Sequence, residues 1–169
     1  MGSHAFSLGL VTVIEAAEAA RQFILSTCPN HIDATDSFEA DEWTKAIFNA
    51  AVNTSTALLN LDTHQVMDCK EGRTWLAHIT EETTHVALAA GVNLPHEMTR
   101  RVMQQLKQMP SFTPSMLQDR RNCKALEIEP ILGRIMMIAE DLGVGVPWLT
   151  RMHTLLEQLK CVSVSRISL

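Results

Sequence analysis

The sequence predicts an all-α fold, and three observations carry that expectation. Gly and Pro are scarce, at seven and six residues in 169, and tyrosine is absent. Ala, Leu, Met, Glu and Gln are plentiful, which favours helix on propensity. Apolar residues recur at helical spacing through most of the chain, with only two short stretches of strand character.

Taken in order, Ala5–Leu8 reads as a strand, and Val13 to Leu25 as an amphipathic helix stopped before Pro29. A second strand-like stretch covers His31–Ala34. A long helix is predicted from Glu39 to Asn60, with Asp36 and Ser37 as capping candidates. Another covers Arg73 to Ala90 and ends at Gly91, a suitable C′ residue. Pro95 suits the first turn of a helix reaching Met109. Ser115 opens a short helix, with Gln118 completing a capping box. Ile128 to Leu142 follows, its Ile128, Ile131, Leu132, Ile135, Ile138 and Leu142 sharing a face, and then Pro147 to Lys160. Residues 1–38 therefore form an α/β-like lead-in, 39–161 an all-α domain, and 162–169 a peripheral tail.

Composition narrows the function classes. The apolar share is 46% and the charged share 20%, as in a soluble globular protein. Fourteen basic against nineteen acidic residues give a net charge of −5. With no basic cluster, nucleic-acid binding is not expected, because phosphate neutralisation supplies most of that affinity. No apolar run approaches the ~18 residues of a membrane span. Cys28, Cys69, Cys123 and Cys161 lie far apart with no C-x-x-C pair, which fits a reducing, cytoplasmic setting without a disulfide framework. No signal peptide is visible at the start.

The most informative feature lies on the long helix. Lys45, Asn49, Asn53, Thr56 and Asn60 follow steps of four, four, three and four, and so share one face. The positions between them are almost all apolar, as in a buried helix. A buried polar stripe must find partners or face a cavity, so these groups are expected to line a small-molecule cleft. The blander alternative is a solvent-facing side, although such a face ordinarily carries Glu, Lys and Arg. An ammonium at Lys45 would polarise a carbonyl or donate a proton. Ser115 reads equally as a helix cap and as an anion-binding group at a helix N-terminus. Glu127 suits a helix start through the macrodipole. Gly133, inside a helix, suggests a close helix–helix approach. On the helix carrying His78 and His85, Glu81 with His85 is the one pair at metal-ligand spacing, and no metal is expected. Trp43, Trp75 and Trp148 read as packing residues.

Four linked strings then carry a family resemblance: Trp43-Thr-Lys45-x3-Asn49-x3-Asn53, Pro114-Ser-Met-Leu-Gln-Asp119, Leu126-Glu-Ile-Glu129 with Ile131-Leu-Gly133, and Gly143-Val-Gly-Val-Pro147. Over about residues 40–160 the chain resembles the C-terminal domain of ketopantoate reductase (2-dehydropantoate 2-reductase). The resemblance implies a helical bundle like the C-terminal domain of 6-phosphogluconate dehydrogenase. It also implies Lys45 as general acid, Glu127 and Ser115 as substrate binders, and Asn49 and Asn53 as cleft-lining donors. Thr63 and Phe112 stand where family members usually carry substrate-contacting asparagines, so a more apolar substrate pocket is expected there. No G-x-G-x-x-G occurs, and the lead-in resembles only the end of a Rossmann domain. The expectation is therefore a free-standing domain redeployed without cofactor, as a cyclase, cycloaddition catalyst or isomerase acting on a hydrophobic carbonyl compound in secondary metabolism. The alternative is a fragment or subunit of an NADPH-dependent reductase of pantothenate biosynthesis. A second alternative is a non-catalytic dimerisation module. A homodimer is expected because a lost Rossmann interface would leave an apolar surface uncovered.

Overall fold

The computed structural model describes the backbone of residues 34–165 and the side chains of 38–159. Both strand-like stretches and the Val13–Leu25 helix lie outside the described residues, apart from Ala34, which is helical. Within them the chain is all-α, with no strand. The elements are α1 (Ala34–Leu59), α2 (Thr63–Asp68), α3 (Lys70–Ala89), α4 (Met98–Gln108), α5 (Ser115–Arg121), a π-turn (Glu129–Gly133), α6 (Arg134–Asp141) and α7 (Pro147–Ser165).

Helix α1 starts earlier than its capping candidates, and Asp36 and Ser37 lie inside it. No Gly or Pro after Pro29 interrupts that path. Its middle is buried around most of the circumference, at Ile47, Ala50, Ala51, Val52, Thr54, Ser55, Thr56 and Ala57. Buried threonines are accommodated by back-bonding: Thr54 Oγ1 donates to Ala50 O, and Thr56 Oγ1 to Val52 O at 2.8 Å. The helix ends at Asn60, whose φ of 58° is left-handed. Arg120 donates to the Ala57 and Leu58 carbonyls, and Arg121 to Asn60 O, so two cations close the negative end of α1.

Helix α2 was not foreseen from periodicity. It is a single capped turn and a half, with Asp62 accepting from Gln65 N and Gln65 Oε1 accepting from Asp62 N. Helix α3 forms the centre of the bundle and packs on α2, α4, α6 and α7. It ends as the sequence predicts: Gly91 takes φ 87°, with Gly91 N bonded to Leu88 O and Val92 N to Ala87 O. Helix α4 begins three residues after Pro95, because Glu97 at φ 59° turns the chain out of the helical path. Ser115 is the first residue of α5 rather than its cap. Pro114 holds the cap position, and Gln118 Nε2 turns back to Thr113 O, so the expected capping box is not formed.

The expected sixth helix is present with a π-turn at its start, where Arg134 N bonds to Glu129 O. Pro130 supplies no N–H, and the widened turn absorbs it. Gly133 does not mark a helix–helix approach. A Cβ there would stand 2.2 Å from Glu129 Oε2, so the glycine makes room for its own turn's carboxylate. The backbone of α7 stays helical to Ser165, past the expected end at Lys160. Its first N–H groups are capped from α3: Trp148 N donates to Glu82 Oε1 at 2.9 Å and Leu149 N to Glu82 Oε2 at 2.8 Å. No helix among the described residues is long and apolar enough to cross a membrane.

Candidate substrate cleft

One face of α1 and the π-turn with α6 enclose a cleft of about 690 Å³. Glu42, Lys45 and Asn49 stand on the α1 side, and Pro130, Ile131, Arg134, Ile135 and Ile138 on the other. Successive helical turns bring Glu42, Lys45 and Asn49 to one edge. Opposite them, Ile131, Ile135 and Ile138 make an apolar wall carrying one guanidinium, Arg134.

Lys45 stands at the rim, its side chain 69% exposed. Its Nζ donates to Glu42 Oε1 at 2.7 Å. That hydrogen bond and the charge of Glu42 raise the ammonium's pKa above its ordinary 10.5, with Asp41 adding to the same direction. Lys45 is thus a fixed cation at neutral pH. Asn49 is exposed within the cleft lining, and Asn53, one turn on, is half-buried beyond it. The last two members of the stripe are structural. Thr56 spends its hydroxyl on its own helix, and Asn60 terminates it while its Oδ1 accepts from Arg121 Nε at 3.1 Å.

The other sequence-selected residues lie outside this lining. Ser115 and Glu127 are exposed, on the first turn of α5 and just before the π-turn. Thr63 is buried and Phe112 half-buried, and they bind each other. Phe112 N donates to Thr63 Oγ1 at 3.1 Å, while Thr63 N and Oγ1 both point to Phe112 O at 3.3 Å. Ser111 Oγ adds a bond to Asp62 Oδ1, and His64 Nε2 meets Met109 O. This strap ties the 109–113 loop to the start of α2.

Sequence reasoning missed Glu42 and Arg134. An acid three residues before the lysine, and one cation on an otherwise apolar face of α6, were the available signals. A second groove, of about 780 Å³ between α3 and α4, is lined by Glu81, His85, Glu97 and Arg100 among others, and by none of the stripe. Of the described glycines, Gly91 and Gly143 close helices, Gly72 packs on Val66 O inside α3, Gly133 faces Glu129, and Gly145 has open space around it.

Comparison with known proteins gives a concordant result. The profile of the family described as ketopantoate reductase PanE/ApbA C terminal matches residues 37–160. A 2-dehydropantoate 2-reductase of Halobacterium salinarum is 28% identical over 133 residues, which is 79% of this chain and 44% of that protein. The crystal structure of 2-dehydropantoate 2-reductase from Methylococcus capsulatus superposes with a TM-score of 0.67 at 28% identity, over 73% of this chain and 43% of that one. A dimeric ketopantoate reductase from Staphylococcus aureus, at 24% identity, shares the fold with a TM-score of 0.67, over 74% of this chain and 44% of that one. The chain thus spans less than half the length of these relatives.

These matches correct the expectation of a cofactor-independent cyclase or isomerase of secondary metabolism. The relatives are reductases, and nothing in the match points to cyclisation chemistry. The helical architecture and the family profile agree, and the chain belongs to the ketopantoate reductase family, whose C-terminal domain it carries.

Proposed function

We propose that this chain supplies the substrate-side half of a ketopantoate reductase, binding a small 2-keto acid in the cleft between α1 and α6. The observation that carries this reading is the placement of Lys45 and Asn49 on one rim of a cleft whose far wall bears Arg134. The lining also carries the carboxylates of Glu39 and Glu42, the latter paired with Lys45. Arg134 is therefore the cation left to meet a substrate carboxylate, while Lys45 and Asn49 offer donors to a keto oxygen. The isoleucine wall suits the apolar body of the same molecule.

Lys45 donates its proton to the oxygen that gains charge as the keto group is reduced. An alkoxide is far more basic than an ammonium, so the raised pKa of Lys45 does not oppose that transfer. Glu42 holds the ammonium in place and keeps it charged. Asn49 donates to the substrate from one turn away. Asn53, Ser115 and Glu127, to which the family resemblance assigns hydroxyl- and carboxylate-binding roles, lie outside the lining of this cleft and are given no contact in this reading. Thr63 and Phe112 shape the 109–113 strap beside α5. The contribution proposed for the described residues is substrate binding and proton supply. NADPH belongs to the reading of the whole reductase. Exposed Met137 on α6 and Leu142 at its end support self-association as a homodimer, and free Cys69 and Cys123 suit a cytoplasmic setting.

Titration of the chain with ketopantoate, followed by amide and side-chain NMR, tests the reading. Saturable shifts at Lys45, Asn49 and Arg134 are expected, with affinity falling about tenfold or more in Lys45→Met through the loss of a charge-assisted bond. Shifts absent from this cleft would overturn it.

A further inference from the structure

We propose that Glu129, His153 and Glu157 form a binding site for a first-row divalent cation of the zinc type, on the side of α7 that meets the π-turn. The three residues each present one ligand atom, and these atoms lie within 4.8 Å of one another. Ligand atoms about 2.1 Å from a common ion lie at most about 4.2 Å apart, so side-chain shifts of under an ångström close the set.

The placement is built by the backbone. His153 and Glu157 are four residues apart on α7 and share a face. Glu129 comes from the π-turn, which packs against α7. Its Oε1 already sits 2.6 Å from His153 Nε2. The other oxygen, Oε2, occupies the space that a side chain at position 133 would need, since a Cβ there would lie 2.2 Å away. Gly133 therefore leaves room for the rotamer that brings this carboxylate to His153. Two carboxylates held this close repel one another, and a shared dication relieves that repulsion. One imidazole and two carboxylates select zinc, cobalt or manganese over magnesium, which prefers an all-oxygen, largely hydrated shell. Three protein ligands leave at least one position for water or an exogenous anion. The reductase reading does not involve this cluster, and the two stand or fall separately.

Calorimetric titration of the metal-free chain with Zn²⁺, and with Co²⁺ followed by its visible absorption, tests the site. One equivalent is expected to bind, undisplaced by a tenfold excess of Mg²⁺. His153→Gln and Glu157→Gln should each weaken binding by about tenfold or more, and Gly133→Ala should weaken it with all three ligands intact. His85→Gln, in the α3–α4 groove, should leave it unchanged. Circular dichroism of each variant establishes that the helices are retained. Binding that is absent, that Mg²⁺ displaces, or that survives both His153→Gln and Glu157→Gln overturns the proposal. In that outcome the His153–Glu129 contact serves only to tie the π-turn to α7.

Discussion

Glu82 does its work through two oxygens that cap two successive backbone N–H groups at the start of α7. The carboxylate is buried, and its charge faces the positive end of a helix. Beside it the Trp148 ring lies edge-on to Trp75 at 5.0 Å and stacks on His78 at 4.1 Å. Glu82→Gln keeps the shape but turns an N–H donor towards one of those N–H groups. A loss of about 2–3 kcal/mol is expected in urea unfolding, because a buried donor is left unpaired and a charged bond is lost. Glu82→Asp, too short to reach both groups, should lie close to it. At the same scale, Lys45 shows how a sequence reading can find a residue and misjudge its setting. The stripe reading puts the lysine inside a buried seam, whereas it stands at a rim, held by Glu42.

Helix ends decide most of the differences at the scale of the element. Asp62 caps α2, and the backbone bond from Gln65 holds its carboxyl below the ordinary 3.8, with the Ser111 hydroxyl acting in the same direction. Because the folded-state pKa is lowered, this contribution is present above 3.8 and is lost as pH falls through the lowered value. Asp62→Ala should cost about 1 kcal/mol at neutral pH. The difference from wild type should vanish in acid, as read by thermal unfolding across the pH range. Cys123 closes α5 with φ 54°, its N–H bonded to Arg120 O and that of Lys124 to Asp119 O. This is the geometry that Gly91 supplies at the end of α3. Glycine has no Cβ to strain there, so Cys123→Gly should stabilise the protein by about 0.5–1 kcal/mol. An unchanged or lower unfolding midpoint would count against that account.

On the scale of the whole molecule, α1 and α3 both contribute fully buried residues to the central core. Ile47, Ala50, Ala51 and Val52 of α1 are fully buried, as are Leu76, Ile79, Val86 and Ala87 of α3 to within 1%. Met137 of α6 and Leu142, its C-cap, are exposed at 58% and 44%. Met137 lies on the helix that forms one wall of the cleft and Leu142 caps it, so association through this surface would sit next to that cleft. Sedimentation velocity at micromolar concentration should give a dimer, and Met137→Glu should return it to a monomer without loss of helicity. A wild-type monomer at that concentration removes the homodimer reading.

The all-α class, six of the seven helices of the described residues and the family follow from the chain alone, because helical periodicity and short motifs are local properties. The same holds for the Gly91 terminator and for Lys45 with Asn49 as neighbours on one face. Thr63 with Phe112, and Glu82 with the start of α7, are pairs 49 and 67 residues apart that spacing does not reveal. Only packing chose which members of the Lys45–Asn60 stripe face the cleft and which are used up in backbone bonds. Only packing set Arg134 opposite Lys45 and brought Glu129 to His153. Local patterns are fixed by the chain's own stereochemistry, whereas a site is assembled by contacts between distant segments, and those exist only once the helices have docked.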